Sequence, residues 1–459
     1  MPVNISHKRS TLSAAVVLAG GQGTRTWPYA EVRNKCALPI AGVPNVRRIV
    51  DDLRRLGVQR IVVVLGSHPG SVRHALRGTG VAFVDQPSGA GTAGAALAGI
   101  AALDDDRFLL VYGDTFASEA DLRAVAASAG PAVLVDAMPP GEARDWHAAH
   151  VADGLLAGVE GHTADGTRRL CGVFALDRSL VPVLEANPGI LRAVPVGGMP
   201  PLEPDLAQSL NDWDAEVSVV EAAEPVVDLD KPWHILQACA LAVRRRAAAI
   251  TENRIHPTAR VHDGAEVQGF LELGPGAEIG NRVVVGGNLV AGAGTRIVNG
   301  AILQGSAVIG AGCRISDYCL LNPDVSVGDG CVVGHGAEMD GALFDGAYLY
   351  HYCEISGLVG VSVDIGAATV CGTLRFDDGP AEHRVKGRRE RPALEANATY
   401  FGDYSRTGVN VITMPGVKIG VYSCVGAGIV VYKDIPSRTL TLLKQETVQR
   451  PWGPERYGW

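Results

Sequence analysis

The stretch LELGPGAEIGNRVVVGGNLVAGAGTRIVNG, residues 271–300, decides the fold of the second half of the chain. Leu273, Ile279, Val285, Ala291 and Ile297 stand six residues apart. The spacing runs back through Val267, Val261 and Ile255, and on through Leu303, Ile309, Ile315, Leu321, Val327, Val333 and Met339 without a gap. In a chain that is 47% hydrophobic, a run of that length arises by chance on the order of once in 10⁵ frames. A helix cannot hold such a period, and an ordinary sandwich would not repeat it so strictly. Glycine often follows the aliphatic residue, as in Ile279-Gly280, Ile309-Gly310 and Val327-Gly328. The pattern predicts a coil whose short flat faces each turn one aliphatic side chain inward, with every turn stacked on the one before. The phase slips near Asp345, resumes through Leu349, Ile355 and Val361, breaks into a polar excursion over 376–398 and returns at Ile419, Val425 and Val431. The tail from Lys444 to Trp459 is polar and is expected to lie over another surface.

Upstream of the coil, Pro232–Ile250 reads as a connecting helix, rich in Ala and Leu and carrying Arg244-Arg245-Arg246. Before it, strand-like and helix-like segments alternate. Ala14–Leu18, Arg60–Leu65 and Phe108–Tyr112 are apolar strand candidates, and Val46, Ile49, Val50, Leu53 and Leu56 have helical spacing. This order predicts an open, mostly parallel α/β sheet with helices on both faces. Weaker strand candidates follow at Ala132–Val135, Val173–Leu176 and Val217–Val220. The chain is therefore divided into a first domain over 1–231, a connecting helix over 232–250, a coil domain over 251–443 and a tail over 444–459.

A net charge of −8 argues against a nucleic-acid surface. No stretch approaches the length of a membrane span, and Met1–Thr11 is too polar for a signal peptide. The nine cysteines are scattered, with no CxxC pair, which points to a reducing cytoplasm.

Directly after the first strand stands Leu18-Ala19-Gly20-Gly21-Gln22-Gly23-Thr24-Arg25. Glycines after a strand let the backbone approach phosphate oxygens, and successive N–H groups can cradle them. The spacing is neither the dinucleotide fingerprint nor a P-loop. Arg25 adds a permanent bidentate cation, and Lys35 follows ten residues later. Gly113-Asp114 ends a buried strand, where an open α/β sheet binds its ligand. Taken alone, Asp114 also suits a helix N-cap and Gln86 an ordinary loop.

In combination these segments resemble the sugar-1-phosphate nucleotidylyltransferases. Residues 17–39 look like that family's LAGGxGTR…P…K…LP signature, Asp85–Gly94 like its nucleobase loop, Val111-Tyr112-Gly113-Asp114 like its metal-binding strand end, and Val227–Trp233 like its second metal segment. The resemblance implies a Rossmann-like nucleotidyltransferase domain condensing an NTP with a sugar or cyclitol 1-phosphate. Leu18, Gly20, Gly21, Gly23 and Thr24 would then hold the nucleotide, with Gln86, Gly91 and Thr92 at the base. Arg25 and Lys35 would be catalytic, Asp114 and Asp228 would hold Mg²⁺, and Glu160 and Gly172 would face the sugar. There are departures: Asn34 replaces the proline usual before the lysine, Asp230 stands where relatives have glycine, and Val159-Glu160-Gly161-His162 lacks the lysine of the usual sugar motif.

The second half resembles the left-handed parallel β-helix of hexapeptide repeats in bifunctional uridylyltransferase–acetyltransferases. That implies a homotrimer and raises acetyl transfer from acetyl-CoA, with His351 in the place of the general base. Glu354 replaces the tyrosine that follows this histidine in relatives, and Asp364 and Thr373 replace their asparagines. Three functions remain open on sequence: a nucleotidylyltransferase alone, a bifunctional enzyme, and a non-catalytic sensor of sugar nucleotides.

Overall fold

A computed structural model describes residues 12–87, 89, 91–139, 143–161, 166–187, 189 and 204–454. His162 and Trp459 lie outside the described residues. Among the described residues no helix is long and apolar enough to cross a membrane.

The first half is built on nine strands: β1 (Ala14–Ala19), β2 (Arg60–Leu65), β3 (Ala82–Asp85), β4 (Arg107–Tyr112), β5 (Ala132–Ala137), β6 (His147–Ala152), β7 (Leu155–Gly161), β8 (Arg168–Asp177) and β9 (Ser218–Glu221). They form one sheet in the order β3-β2-β1-β4-β8-β5-β9-β7-β6. Strand β1 is buried on both faces. Ala15 and Val17 pack with Val46, Ile49 and Leu53 of the helix Asn45–Arg55, while Val16 and Leu18 pack with Ala93, Ala96 and Ile100 of the helix Gly91–Ala101.

The expectation of a mostly parallel sheet holds for β1–β4, which pair with one another in parallel, and β9 also pairs in parallel with β5. Strand β8 runs antiparallel between β4 and β5, and β6 with β7 make an antiparallel hairpin. The cause of the hairpin is local: Asp153 and Gly154 both have positive φ, so a two-residue turn reverses the chain where a crossover helix would be needed for a parallel pair.

The second half is a three-sided parallel coil. Leu271–Leu273 pairs with Leu289–Ala291, Glu278–Ile279 with Arg296–Ile297, and Val284–Val285 with Ile302–Leu303. One turn is 18 residues, or three six-residue units. From Leu273 to Met339 the aliphatic residues singled out by the repeat form its core, and Ile297, Ile315, Leu321, Val333 and Met339 have no accessible surface. Ile255 and Val261 of the first turn are exposed instead, and Val361 packs against the core shared by the two halves. At the phase slip the turn shortens to 16 residues, because Glu338–Leu343 and Glu354–Val359 each cross a corner as one continuous strand. The polar excursion contains a hairpin, His383–Val385 with Arg388–Glu390. Within the tail, 444–452 stays exposed on this chain, against the expectation that it covers a second surface.

The halves share a core. Trp233, Leu236 and Cys239 of the connecting helix Pro232–Ala248 pack with Tyr29, Leu38 and Phe116 on one side and with Phe344, Leu358 and Tyr400 on the other.

Candidate functional site

The glycine loop leaves β1 at Gly20. A Cβ on Gly66 would lie 2.4 Å from the Gly20 carbonyl oxygen, so Gly66 lets that segment pack against the loop, while one on Gly20 would meet the flexible end of the Gln86 side chain. Gly23 is left-handed (φ 63°) and opens the short turn Thr24–Thr26 that carries Arg25. A second short turn, Lys35–Ala37, carries Lys35.

Asn34, flagged above as a departure, holds the two turns together. Its carbonyl accepts from the Cys36 N–H at 2.9 Å. Its amide donates to the carbonyls of Ala19 (3.0 Å), Gly21 (3.3 Å) and Ser67 (2.7 Å). A proline would fix φ but make none of these bonds.

Asp114 is not a helix N-cap. It precedes a short strand, Thr115–Phe116, that pairs with Val227–Asp228, and the helix beyond begins at Glu119 under a Ser118 cap. This ribbon brings two carboxylates from distant parts of the chain together, and Asn45 fixes its entry by donating to the carbonyls of Gly113 (2.9 Å) and Thr115 (3.0 Å).

Lys35 Nζ forms an ion pair with Asp114 and lies 3.7 Å from Asp230 Oδ1, while Arg25 Nη2 is 2.7 Å from Asp230 Oδ2. Burial works against the Lys35 charge, but Asp114, Asp230 and Asp228 outweigh it and hold its pKa above the usual lysine range. Asp230 is likewise opposed by burial yet held below the usual carboxylate range by Lys35 and Arg25. Asp228 goes the other way: burial, then the neighbouring Asp114, pushes it up to about 7. Its Oδ1 is buried and has no hydrogen-bond partner among the described residues.

Leu18, Gly20, Gly21, Arg25, Lys35, Gln86, Gly91, Thr92, Asp114, Gly172 and Asp228 all line one cavity of about 390 Å³, and Gly23 and Thr24 line the adjoining depression of about 600 Å³. Gln86 Nε2 donates to the Gly91 carbonyl at 2.9 Å, and the Thr92 hydroxyl accepts from Leu206 N–H at 2.8 Å. Gly172 has φ 62° at a bulge in β8, where a Cβ would lie 2.6 Å from Thr115 Oγ1.

Glu160 does not join them. Its neighbour Gly161 pairs with the cleft residue His147, so alternation turns Glu160 to the opposite face, where it meets His150 Nε2 at 3.4 Å. His351 is on an exposed turn of the coil, edge-on to His335 at 5.5 Å. Asp145, Trp146 and His147, which the sequence did not single out, also line the cleft. Trp146 was the available signal, a rare residue beside an acid in a chain with 5% aromatics.

Residues 15–180 match the model of the MobA-like NTP transferase domain, and residues 306–341 match that of the bacterial transferase hexapeptide. The chain thus carries an NTP-transferase domain followed by hexapeptide repeats. Over 92% of its length it is 25% identical to a bifunctional sugar-1-phosphate nucleotidylyltransferase/acetyltransferase of Sulfurisphaera tokodaii, covering 98% of that protein. Over 95% of its length it is 28% identical to the bifunctional protein GlmU of Methanococcus maripaludis, again covering 98%. Among solved structures, a UDP-glucose pyrophosphorylase complexed with UDP-glucose matches 51% of this chain and 100% of its own, with a TM-score of 0.44 and 15% identity.

Proposed function

We propose that the chain is a sugar-1-phosphate nucleotidylyltransferase that joins an NTP to a sugar or cyclitol 1-phosphate and releases pyrophosphate. The observation that carries this reading is the convergence of Arg25, Lys35, Asp114 and Asp228 on one cavity beside the glycine loop. The backbone of Gly20–Gly23 approaches the nucleotide phosphates, with Gln86 and Gly91 at the base. A phosphate oxygen of the sugar phosphate attacks the α-phosphorus as its bond to pyrophosphate breaks. No protein nucleophile is needed, only alignment and fixed positive charge. Lys35, kept protonated by its acidic neighbours, neutralises the α-phosphate, and Arg25 takes the charge that develops on the departing pyrophosphate.

Asp114 and Asp228 fit a divalent cation. A buried carboxylate oxygen without a partner among the described residues, on an acid pushed up by burial and then by a second acid, is what a hard cation would relieve, and Mg²⁺ binds through one or two carboxylates plus substrate phosphates. When bound, Mg²⁺ would supply Lewis-acid stabilisation of phosphate charge. The division at 231, 250 and 443 and assembly as a homotrimer through the coil belong to the same reading. So does a cytoplasmic location, which the free cysteines support.

The test is pyrophosphate release with Mg²⁺, four common NTPs and dTTP against a panel of sugar and cyclitol 1-phosphates, with Arg25→Ala as control. Activity with one pair, lost in the control, is expected. Nucleotide binding without release for every pair would overturn the reading in favour of a sensor.

A further inference from the structure

Lys231 follows the Asp228–Asp230 turn and is 1% exposed, yet the chemistry above does not use it. Its ammonium lies between carboxylates from the two halves of the chain: Asp145 Oδ2 at 3.3 Å, and Glu390 Oε2 of the coil's excursion in direct contact. Arg388, on the same hairpin, lies 3.5 Å from Asp145 Oδ1 and 3.8 Å from Glu390 Oε1.

The hairpin is anchored firmly enough for this contact to matter. His383 has no accessible surface, meets Trp233 edge-on at 5.0 Å and Tyr400 at 5.7 Å, and sets Nε2 2.6 Å from the Ala396 carbonyl. Val385 is buried in the core shared by the two halves. At the other end of the contact, Asp145 lines the cleft beside Trp146 and His147, on the side where Gly172 stands.

A buried ammonium is tolerated only when paired, and its partners are held in turn. With Glu390 ionised, Lys231 has a carboxylate on each side, and Asp145 is shared between Lys231 and Arg388 rather than drawn onto Lys231. Without that charge, Lys231 has Asp145 as its remaining carboxylate partner among these groups and pulls it away from the cleft.

We propose that Glu390 is a positioning residue for nucleotidyl transfer, fixing Asp145 through Lys231 so that the hexapeptide half completes the acceptor end of the cleft. This rests on the transferase reading above. Asp145 then presents its carboxylate to hydroxyl groups of the sugar or cyclitol phosphate.

The experiment uses the full chain and the substrate pair found in the panel. Glu390→Gln is expected to raise the KM for the acceptor about tenfold while the KM for NTP moves less than about twofold. Glu390→Asp, which keeps the charge, is expected to stay within about threefold of the parent. In an Asp145→Asn background, Glu390→Gln should add less than about twofold, because the two act in series. An unchanged acceptor KM, or equal losses for both substrates together with a lowered Tm, would overturn the proposal. A crystal structure of Glu390→Gln gives a readout that needs no activity: Asp145 keeping its place would refute the positioning role even if no substrate pair is found. Silence of the parent enzyme across the panel would instead count against the transferase reading.

Discussion

The cleft of the first half and the exposed turn of the second half that carries His351 are opposite cases of the same resemblance. Both hold a residue type that suits the implied chemistry. In the cleft the charged groups are tied to one another: Lys35 meets Asp114 and Asp230, Arg25 meets Asp230, and Asn34 and Asn45 fix the backbone beneath them. On the coil, His351 meets aromatic rings: His335, Tyr350 at 6.0 Å and Tyr352 at 6.4 Å. Among the described residues no hydrogen bond orients its imidazole. The difference lies in the layer behind the residue, since a reacting group acts only when its own position is fixed.

The largest effect expected from this contrast is Lys35→Ala. Loss of the ammonium removes charge neutralisation in the transition state and leaves three acids facing one another, so the rate of pyrophosphate release should fall about 10³-fold. A fall of less than tenfold would put the essential cation elsewhere and blur the distinction between the two regions. Next comes Ile315→Ala, at the fully buried centre of the coil. The cavity should cost about 3 kcal/mol in denaturant unfolding, with kcat per folded molecule unchanged. A loss of kcat without loss of stability would mean that the coil shapes the cleft through its core as well as through its excursion. A smaller effect is expected with pH. Burial pushes His383 from the ordinary histidine range down to about 4, so its neutral form stabilises the fold above pH 6.5 and that contribution is lost as pH falls through about 4. The contribution amounts to at most about 3 kcal/mol. Urea midpoints at pH 7 and pH 4 should therefore differ more in the parent than in His383→Gln, and equal differences would remove His383 as the cause.

The two regions were also unequally legible in the sequence. The coil's inward positions repeat every six residues, so each turn restates the rule, and even its phase slip near Asp345 matches the shortened turn. The glycine loop was legible because glycines directly after a strand leave the backbone open to a ligand, and Gly23 takes the left-handed conformation that glycine favours. What stayed hidden depends on contacts made far along the chain. Asn34 looked like a defect, and only the folded loop shows the carbonyls it serves. The resemblance put Asp114 and Asp228 at one metal, but the ribbon of two-residue strands that joins them is too short to leave a pattern. Glu160 looked suitable by type, but one step along a strand sends a side chain to the other face. Asp145 and Glu390 come from segments with no motif, and Lys231 connects them only once the halves have packed.

His351→Ala is expected to have the smallest effect and bears most directly on the contrast. The histidine lies outside the residues lining the cleft, and its ring contacts are within its own turn and the neighbouring one. Its removal should leave the rate of pyrophosphate release within about twofold of the parent. The sharper measurement is release of free CoA from acetyl-CoA with an amino-sugar phosphate present, because the relative from Sulfurisphaera tokodaii is named as an acetyltransferase too. A neutral imidazole gains about 10²–10⁴-fold as a general base only when a partner fixes its ring against the substrate. CoA release equal in the parent and in His351→Ala is therefore expected. Release that depends on His351 would mean that a second chain or the substrate supplies the missing layer, and the exposed turn would then join the cleft as a second site built from two directions.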